Sequence, residues 1–190
     1  MASVVGICNA ALQKLGAERI NDLTEDTANG RSCNAAYERL RDAELRAHTW
    51  NFAKTRASLA ADADAPAFGK ARSFTLPAEW LRMLPPYPEM NSNDLDWEIE
   101  GRKLYTNDSA PLQIRYVKQV TDPNEMDALF REALASRMAV DMCEEITQSN
   151  TKRQLAQEDY KKALAEGRRT NAIESISAEP PEDQWITVRA

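Results

Sequence analysis

Apolar positions in the first part of the chain recur with the spacing of one face of an α-helix. Between residues 2 and 16 they follow the i, i+3, i+4, i+7 pattern that is typical of an amphipathic helix. The apolar residues in this register are Val4, Ile7, Cys8, Ala11, Leu12 and Leu15. Gly16 comes next, and glycine readily adopts the left-handed conformation in which many helices end. The pattern predicts a helix over 2–16, followed by a polar loop over 18–26.

A second amphipathic pattern extends over 27–49 and predicts a longer helix. Its apolar stripe consists of Cys33, Ala36, Tyr37, Leu40, Ala43, Ala47 and Trp50. The opposite face mixes arginines, among them Arg39 and Arg46, with acidic residues, which is typical of a solvated or intersubunit face. Because a short link joins the two helices, we expect them to pack antiparallel as a hairpin.

The pattern changes after residue 50 to short segments in which apolar and polar residues alternate. Three such segments cover 96–100, 103–106 and 112–117. Gly101 and Arg102 separate the first two segments, which predicts a tight hairpin turn. We therefore expect a small antiparallel sheet in this part of the chain.

The clearest local signal is a helix start that follows this sheet. Asp122 is suited to cap a helix, Pro123 to its first position, and Glu125 lies where it completes a capping box. We therefore expect a third helix to begin here. A fourth helix, richer in charge, is expected to begin at Ser149 or Asn150.

Helical periodicity ends near residue 173, and the remaining tail is rich in acidic residues and proline. The tail closes with a β-prone run that contains Trp185, Ile186 and Val188. Large apolar side chains on a surface commonly mark interaction sites. We therefore expect the tail to dock on a neighbouring subunit or another partner through these three residues, for example by adding a strand to a sheet.

Together these patterns predict an α+β fold that is mainly α. We expect a four-helix bundle of two helical hairpins, formed by 1–50 and 121–173. A small antiparallel β-rich insert is expected over 51–120, and an extended C-terminal tail over 174–190.

Composition narrows the function classes. The net charge of −6 and a pI of about 5.0 argue against a general nucleic-acid-binding surface, which is basic. The three cysteines have no C-x-x-C spacing, so we interpret them as reduced core thiols of a protein made in the cytoplasm. No apolar run approaches the roughly 20 residues that span a bilayer, and the N-terminus lacks the features of a signal peptide.

The sequence offers little for catalysis. Its one histidine, His48, falls near the end of the second helix, where we expect it to interact with the helix dipole. A catalytic group of His48 with Cys8 or Cys33 is disfavoured, because both thiols fall on apolar helix faces. Nucleotide-binding glycine motifs do not occur in the sequence. We therefore expect no enzymatic activity, metal or cofactor, and a hydrolase site in the insert is the weakest alternative.

The tryptophans suggest where partners bind. We expect Trp50 and Trp97 to form a small core of the insert. Trp80 could belong to that core or equally anchor an interface, since tryptophan is enriched at binding hot spots. Arg39 and Arg46 are further candidate contacts, because the mixed charges of their helix face can pair across a subunit boundary.

An ordered series of motifs resembles a known family. The matching residues are Asn9 to Gly16, Ile20, Leu23 to Glu25, Cys33 to Tyr37, Leu45, Trp50 to Ala53, Phe74 to Pro77 and Trp97 to Gly101, followed by the paired helices after Pro123. They extend in order over most of residues 4–165. In this series the chain resembles the phage tail tubular protein A family, the head-to-tail adaptors of short-tailed phages.

The resemblance implies a structural role in the virion. Such adaptors form a ring, a dodecamer, under the portal protein at the head-tail junction. The ring extends the channel for DNA, which passes through the lumen without specific binding, and it presents a platform for the tail nozzle or the next tail protein. No catalytic residue, cofactor or membrane is associated with this role, and the subunits are made in the host cytoplasm. The alternative is a monomeric soluble interaction or assembly-chaperone domain that forms no ring.

Overall fold

The computed structural model describes residues 1–85 and 96–174 of the chain. Within these residues, helices α1 to α4 extend over Val4–Leu15, Ala28–Ala47, Ala128–Thr147 and Asn150–Ile173. Strands β1 to β6 extend over Lys54–Leu59, Arg72–Thr75, Trp80–Leu84, Trp97–Glu100, Lys103–Thr106 and Leu112–Lys118. One turn of 3-10 helix, Asn51–Ala53, leads from the end of α2 into β1.

Side-chain caps begin the first two helices. The Ser3 hydroxyl accepts a hydrogen bond from the Gly6 amide (3.0 Å), and the Thr27 hydroxyl accepts one from the Gly30 amide (3.0 Å). Such a cap contributes about 1 kcal/mol, because it satisfies an amide that has no partner within the helix. Gly16 ends α1 with a φ of 69°, as the sequence predicts.

Helix α3 is central to the helical part of the molecule. It packs along α4 and also contacts α1 and α2, whereas α1 and α2 touch each other only slightly. Buried small residues, Ala133, Ala135 and Ala139, let neighbouring helices approach it closely. The expected antiparallel hairpin of α1 and α2 is therefore not the organising unit, because both helices bury their apolar stripes against α3.

The six strands form two antiparallel sheets of three strands each. The first sheet has the order β1-β6-β3 and the second the order β2-β5-β4. The hairpin of β4 and β5 turns at Gly101, whose φ of 57° suits a tight turn, and this prediction is confirmed. A register shift between Trp80 and Arg82 interrupts the pairing of β3 with β6.

Two apolar cores stabilise the structure, and strand β6 contributes to both. Successive residues of a strand point to opposite faces, so Tyr116 enters one core and Val117 the other. The sheet core contains Phe74, Leu76, Leu104, Leu112, Ile114 and Tyr116. The helical core extends from α1 through α3 to Leu84 and Val117 of the first sheet. The first sheet therefore lies between the helices and the second sheet.

The predicted architecture, a four-helix bundle with a small β insert, is wrong. Over residues 1–85 and 96–174 the structure is an α+β fold in which four helices accompany two three-stranded antiparallel sheets. The error arose because Phe74 and Trp80 belong to short strands that a Leu-Pro step separates, and this segment showed no clear alternation. These two strands enter different sheets, which doubles the β layer.

The predicted start of the third helix is also wrong. Asp122 accepts a hydrogen bond from the Asn124 amide (2.9 Å) and forms a local turn in place of a cap. Helix α3 begins later, where the Asp127 carboxylate accepts hydrogen bonds from the amides of Leu129 (2.8 Å) and Phe130 (3.2 Å).

Trp50 also lies elsewhere than expected. It belongs to the helical core and not to the sheet core, and it is 1% exposed. Trp97, by contrast, packs against the sheet core as predicted. Ala43 and Ala47, which we assigned to the apolar stripe of α2, are exposed, whereas Glu44 is buried.

Candidate interaction surface

Two of the predicted contact residues, Arg46 and Trp80, lie together where α2 meets the first sheet. The Arg46 guanidinium lies over the indole ring of Trp80, 5.9 Å from its centroid, and also donates a hydrogen bond to the Leu81 carbonyl oxygen. Arg46 is exposed and Trp80 is partly buried. A cation over an indole ring is stabilised by about 0.5–1 kcal/mol at an exposed site. Both side chains therefore have an internal role at this junction.

Arg82 completes the junction between helix and sheet. Its guanidinium donates to the Thr49 hydroxyl, just beyond the end of α2. Burial, and then the positive charge of Arg46, lower the pKa of Arg82. The Nε of Arg82 and the Nε1 of Trp80 are buried and have no hydrogen-bond partner among the described residues.

Arg39 lies on a different surface, formed by α2, α3 and α4. It donates to the Asp141 carboxylate of α3 (2.6 Å), so part of the mixed charge on α2 is paired within the chain. A groove of about 330 Å³ adjoins this ion pair. Its lining is mostly polar and includes Arg137, Asp141, Glu144, Arg153, Gln157 and Tyr160. We call it the polar groove.

Glu44, which sequence reasoning missed, is part of a polar network beside the groove. Its carboxylate accepts a hydrogen bond from the Tyr160 hydroxyl (2.5 Å) and lies 3.5 Å from the guanidinium of Arg137. Burial and the Glu44 carboxylate raise the pKa of Tyr160. The sequence signal was available, because Glu44 follows Leu40 by four residues and so falls on the apolar stripe.

His48 occupies the C-cap of α2, as predicted, but positive charges surround it. Its ring packs edge-on against Trp50, with centroids 4.9 Å apart. Burial, followed by the charges of Arg168, Arg82 and Lys54, lowers the pKa of His48. The expected stabilisation of its protonated form by the helix dipole is therefore outweighed.

All three cysteines are free and buried, in agreement with the prediction of core thiols. A hydrogen bond with Cys33 and then burial raise the pKa of Cys8. Cys33 also lies 3.9 Å from the sulfur of Met142. The hydrogen bond with Cys8 lowers the pKa of Cys33, but burial keeps this thiol away from solvent.

Several large apolar side chains are exposed on the described surface. Phe68 is 90% exposed and Leu155 is 57% exposed. Leu155 lines a second groove of about 440 Å³ between the end of α1, α3 and α4, which also includes Leu15, Ala139, Ala156 and Asp159. We call it the α4 groove. Apolar side chains beside a concave surface are typical of protein-binding sites.

The remaining predicted contacts, Trp185, Ile186 and Val188, lie outside the described residues, as does most of the tail assigned to 174–190. Within the described residues, no group of three or more histidine, cysteine or acidic side chains is arranged to hold a metal ion. Among the helices of residues 1–85 and 96–174, none combines the length and apolar character needed to span a membrane.

No family model matches this chain, and no curated protein matches it significantly. The resemblance to head-to-tail adaptors therefore rests on the ordered motifs in the sequence.

Proposed function

We propose that this chain is a structural virion subunit, a head-to-tail adaptor that assembles into a ring between the portal and the tail nozzle of a short-tailed phage. The observation that carries the proposal is the order and spacing of the motifs, which extend over most of residues 4–165. In this role the chain acts through its surfaces and has no catalytic centre.

Three of the residues that carry the resemblance, Asn9, Trp50 and Asn51, have structural roles in this fold. Asn9 fixes the loop after α1, since it donates to the Ile20 carbonyl oxygen (2.8 Å) and accepts from the Ile20 amide (2.9 Å). The backbone amide of Asn51 donates to the side-chain oxygen of Asn171 (2.7 Å) and so connects the start of the β region to α4. Trp50 is buried in the helical core.

A ring requires two different contact faces on each subunit, because neighbours in a closed ring meet through a heterologous contact. The two grooves along α4 supply candidates. Lys152, Leu155 and Asp159 line the α4 groove, whereas Arg153 and Gln157 line the polar groove on another flank of the same helix. The first has an exposed leucine, and the second carries both signs of charge.

The net charge of −6 suits a channel for DNA. A ring of acidic subunits repels the phosphate backbone, so the genome slides through the lumen without being held. Specific base contacts are not required for this function. In the proposed assembly, the C-terminal tail contributes the contact with the portal or with a neighbouring subunit.

The deciding experiment mixes the purified full-length chain with a purified portal ring and examines the product by electron microscopy. We expect a second ring on one end of the portal, with twelve subunits as the family resemblance implies. The chain alone is examined by light scattering at increasing concentration, since adaptor subunits can stay monomeric until a portal assembles them. A chain that remains monomeric and does not bind portal would favour the monomeric interaction or chaperone domain.

The tail contact is tested separately. The variant W185A/I186A is expected to bind portal more weakly, because it removes the two largest apolar side chains of the β-prone run at the end of the tail. The matched control S175A/S177A changes small polar residues in the same tail and should bind like the unaltered chain. Equal binding by both variants would exclude the tail as the portal contact.

A further inference from the structure

The first sheet has an unusual charge distribution for an acidic protein. Its three strands contain five basic residues and no aspartate or glutamate: Lys54 and Arg56 in β1, Arg82 in β3, and Arg115 and Lys118 in β6. Lys118 pairs with Glu125 (3.2 Å). The other four lie on one face of the sheet, as the strand register shows.

In the register, Lys54 and Arg82 both pair with Val117, while Arg56 and Leu84 both pair with Arg115. Residues that pair directly across neighbouring strands point to the same face. Lys54, Arg56, Arg82 and Arg115 therefore share the face opposite the sheet core, and we call this group the basic face. Val117 and Leu84 of the same face pack into the helical core, and Arg82 is engaged at the junction with α2. Arg56, which is exposed, and Arg115, which is half-buried, are the members of the group that remain accessible for docking.

The basic face lacks compensating charge in the described part of the chain. Arg56 lies directly opposite Arg115, and like charges in this position destabilise a strand pair. Burial and then the charge of Arg115 lower the pKa of Lys54. Among residues 1–85 and 96–174, none of the four has an ion pair with a carboxylate.

The chain places its own acidic segment next to this face. Residues 174–183 read ESISAEPPED and contain four acidic side chains and no basic one. Glu174, the first of them, ends α4 and accepts a hydrogen bond from the Asn51 side chain (3.3 Å). The same Asn51 side chain accepts one from Lys54 (2.6 Å). The tail therefore starts at the edge of the basic face.

The distances are well within reach of the tail. Five extended residues span up to ~17 Å, which is the separation available between Glu174 and Glu179. Two residues of a strand, such as Lys54 to Arg56, cover only ~7 Å. A segment tethered this closely has an effective concentration in the millimolar range, so modest attraction is sufficient to hold it.

We propose that the acidic segment 179–183 of the tail docks on the basic face of its own chain. Carboxylates of Glu179, Glu182 and Asp183 pair with the guanidinium groups of Arg56 and Arg115, for which arginine offers two parallel hydrogen bonds. The contact neutralises the repulsion between the two arginines. It also anchors the base of the tail, so that Trp185 and the residues after it project from the first sheet.

Disulfide trapping in the full-length chain tests this placement without altering a charge. Ser58 lies on the same face of β1 as Arg56, and it pairs with Gln113. The pair S58C/Q184C is expected to cross-link within one chain on mild oxidation, because docking brings the two positions together. The control pair Q154C/Q184C uses an exposed site near the other end of α4, ~30 Å from Glu174. The native thiols are buried and stay out of the reaction.

We expect S58C/Q184C to cross-link on the order of tenfold faster than the control at low salt, and the advantage to fade at high salt. Adding R56E/R115E should abolish the advantage, and adding E179R/E182R/D183R to that variant should restore it. Adding E89Q/D94N, which removes the acids that lie outside the described residues between β3 and β4, should leave the rate unchanged.

Three results would overturn the proposal. The first is equal cross-linking of the test and control pairs. The second is a cross-link that joins two chains instead of closing within one, as non-reducing electrophoresis distinguishes. The third is binding of a labelled short DNA duplex to the intact chain together with loss of that binding in the R56E/R115E variant. This result would assign the basic face to nucleic acid.

Discussion

Trp50 is the largest of the fully buried side chains among the described residues, and its removal gives a quantitative test of the fold. The indole is 1% exposed and packs edge-on against Phe130, with centroids 5.1 Å apart. Its Nε1 donates to the Glu44 carbonyl oxygen (3.2 Å). A Cβ at Gly167 of α4 would lie 3.1 Å from the ring, so there is no spare space on that side.

The expected cost of W50A follows from these contacts. Truncating a buried tryptophan to alanine costs about 3–5 kcal/mol, because apolar burial is lost and a cavity remains. Loss of the hydrogen bond to Glu44 adds about 1 kcal/mol. We therefore expect W50A to lower the free energy of unfolding by about 4–6 kcal/mol, a large part of the roughly 5–15 kcal/mol that stabilises an ordinary domain.

Urea unfolding followed by far-ultraviolet circular dichroism measures this loss, since tryptophan fluorescence changes with the substitution itself. W50F separates the two contributions, because it keeps an aromatic ring and removes the donor; about 1–2 kcal/mol is expected. W97A is the matched control at a partly buried tryptophan, with about 1–2 kcal/mol expected. A loss below about 2 kcal/mol for W50A, or one no larger than that for W97A, would refute the reasoning.

Two further predictions concern the polar groups around α2. His48 is the one histidine of the chain, so its NMR titration is unambiguous, and burial and then Arg168 should hold its pKa below the ordinary value of 6.5. The folded state then binds fewer protons than the unfolded state. Stability should therefore be lost as the pH falls from 6.5 through the folded pKa, and H48Q should reduce this loss; a measured pKa above 6.5 would contradict the prediction. Y160F removes the hydrogen bond to the buried Glu44 carboxylate and should cost about 1.5–3 kcal/mol in thermal unfolding, whereas an unchanged melting temperature would show that the bond contributes nothing.

Elements with regular periodicity could be predicted from the sequence. Helix α1 has apolar residues on one face and a glycine at its end, and the β4–β5 hairpin has alternation on both sides of Gly101. In both cases the local pattern and the tertiary environment favour the same structure. Local reasoning is reliable where nothing further along the chain opposes it.

Competing local signals explain the wrong start of α3. Asp122, Pro123 and Glu125 make a good capping box, yet Asp127 caps the helix instead. Met126, between the two candidate caps, is 3% exposed in the helical core. Starting the helix at Pro123 would rotate and shift this side chain. Burial of Met126 therefore favours the cap at Asp127 over the one at Asp122. Which side chains are buried depends on the whole fold.

The contact residues illustrate what a sequence leaves open. The sequence indicates Arg46 and Trp80 as contact residues for separate reasons, and the structure brings them together across 34 residues of chain. Arg39 was expected to pair across a subunit boundary, and it pairs with Asp141 of its own chain. Pairings of this kind depend on how distant elements cross, which neither periodicity nor spacing encodes. The roles of Trp185, Ile186 and Val188 stay predictions.

The central position of α3 has a consequence for synthesis of the protein on the ribosome. Helices α1 and α2 are complete by residue 47, but the helix that covers their apolar faces ends at residue 147. At about 5–20 residues per second, the ribosome needs roughly 5–20 s to add the intervening hundred residues. During that interval the nascent chain carries two amphipathic helices without their packing partner. We therefore expect the first third of this protein to be a binding site for chaperones of nascent chains, and its helical core to form only when synthesis is nearly complete.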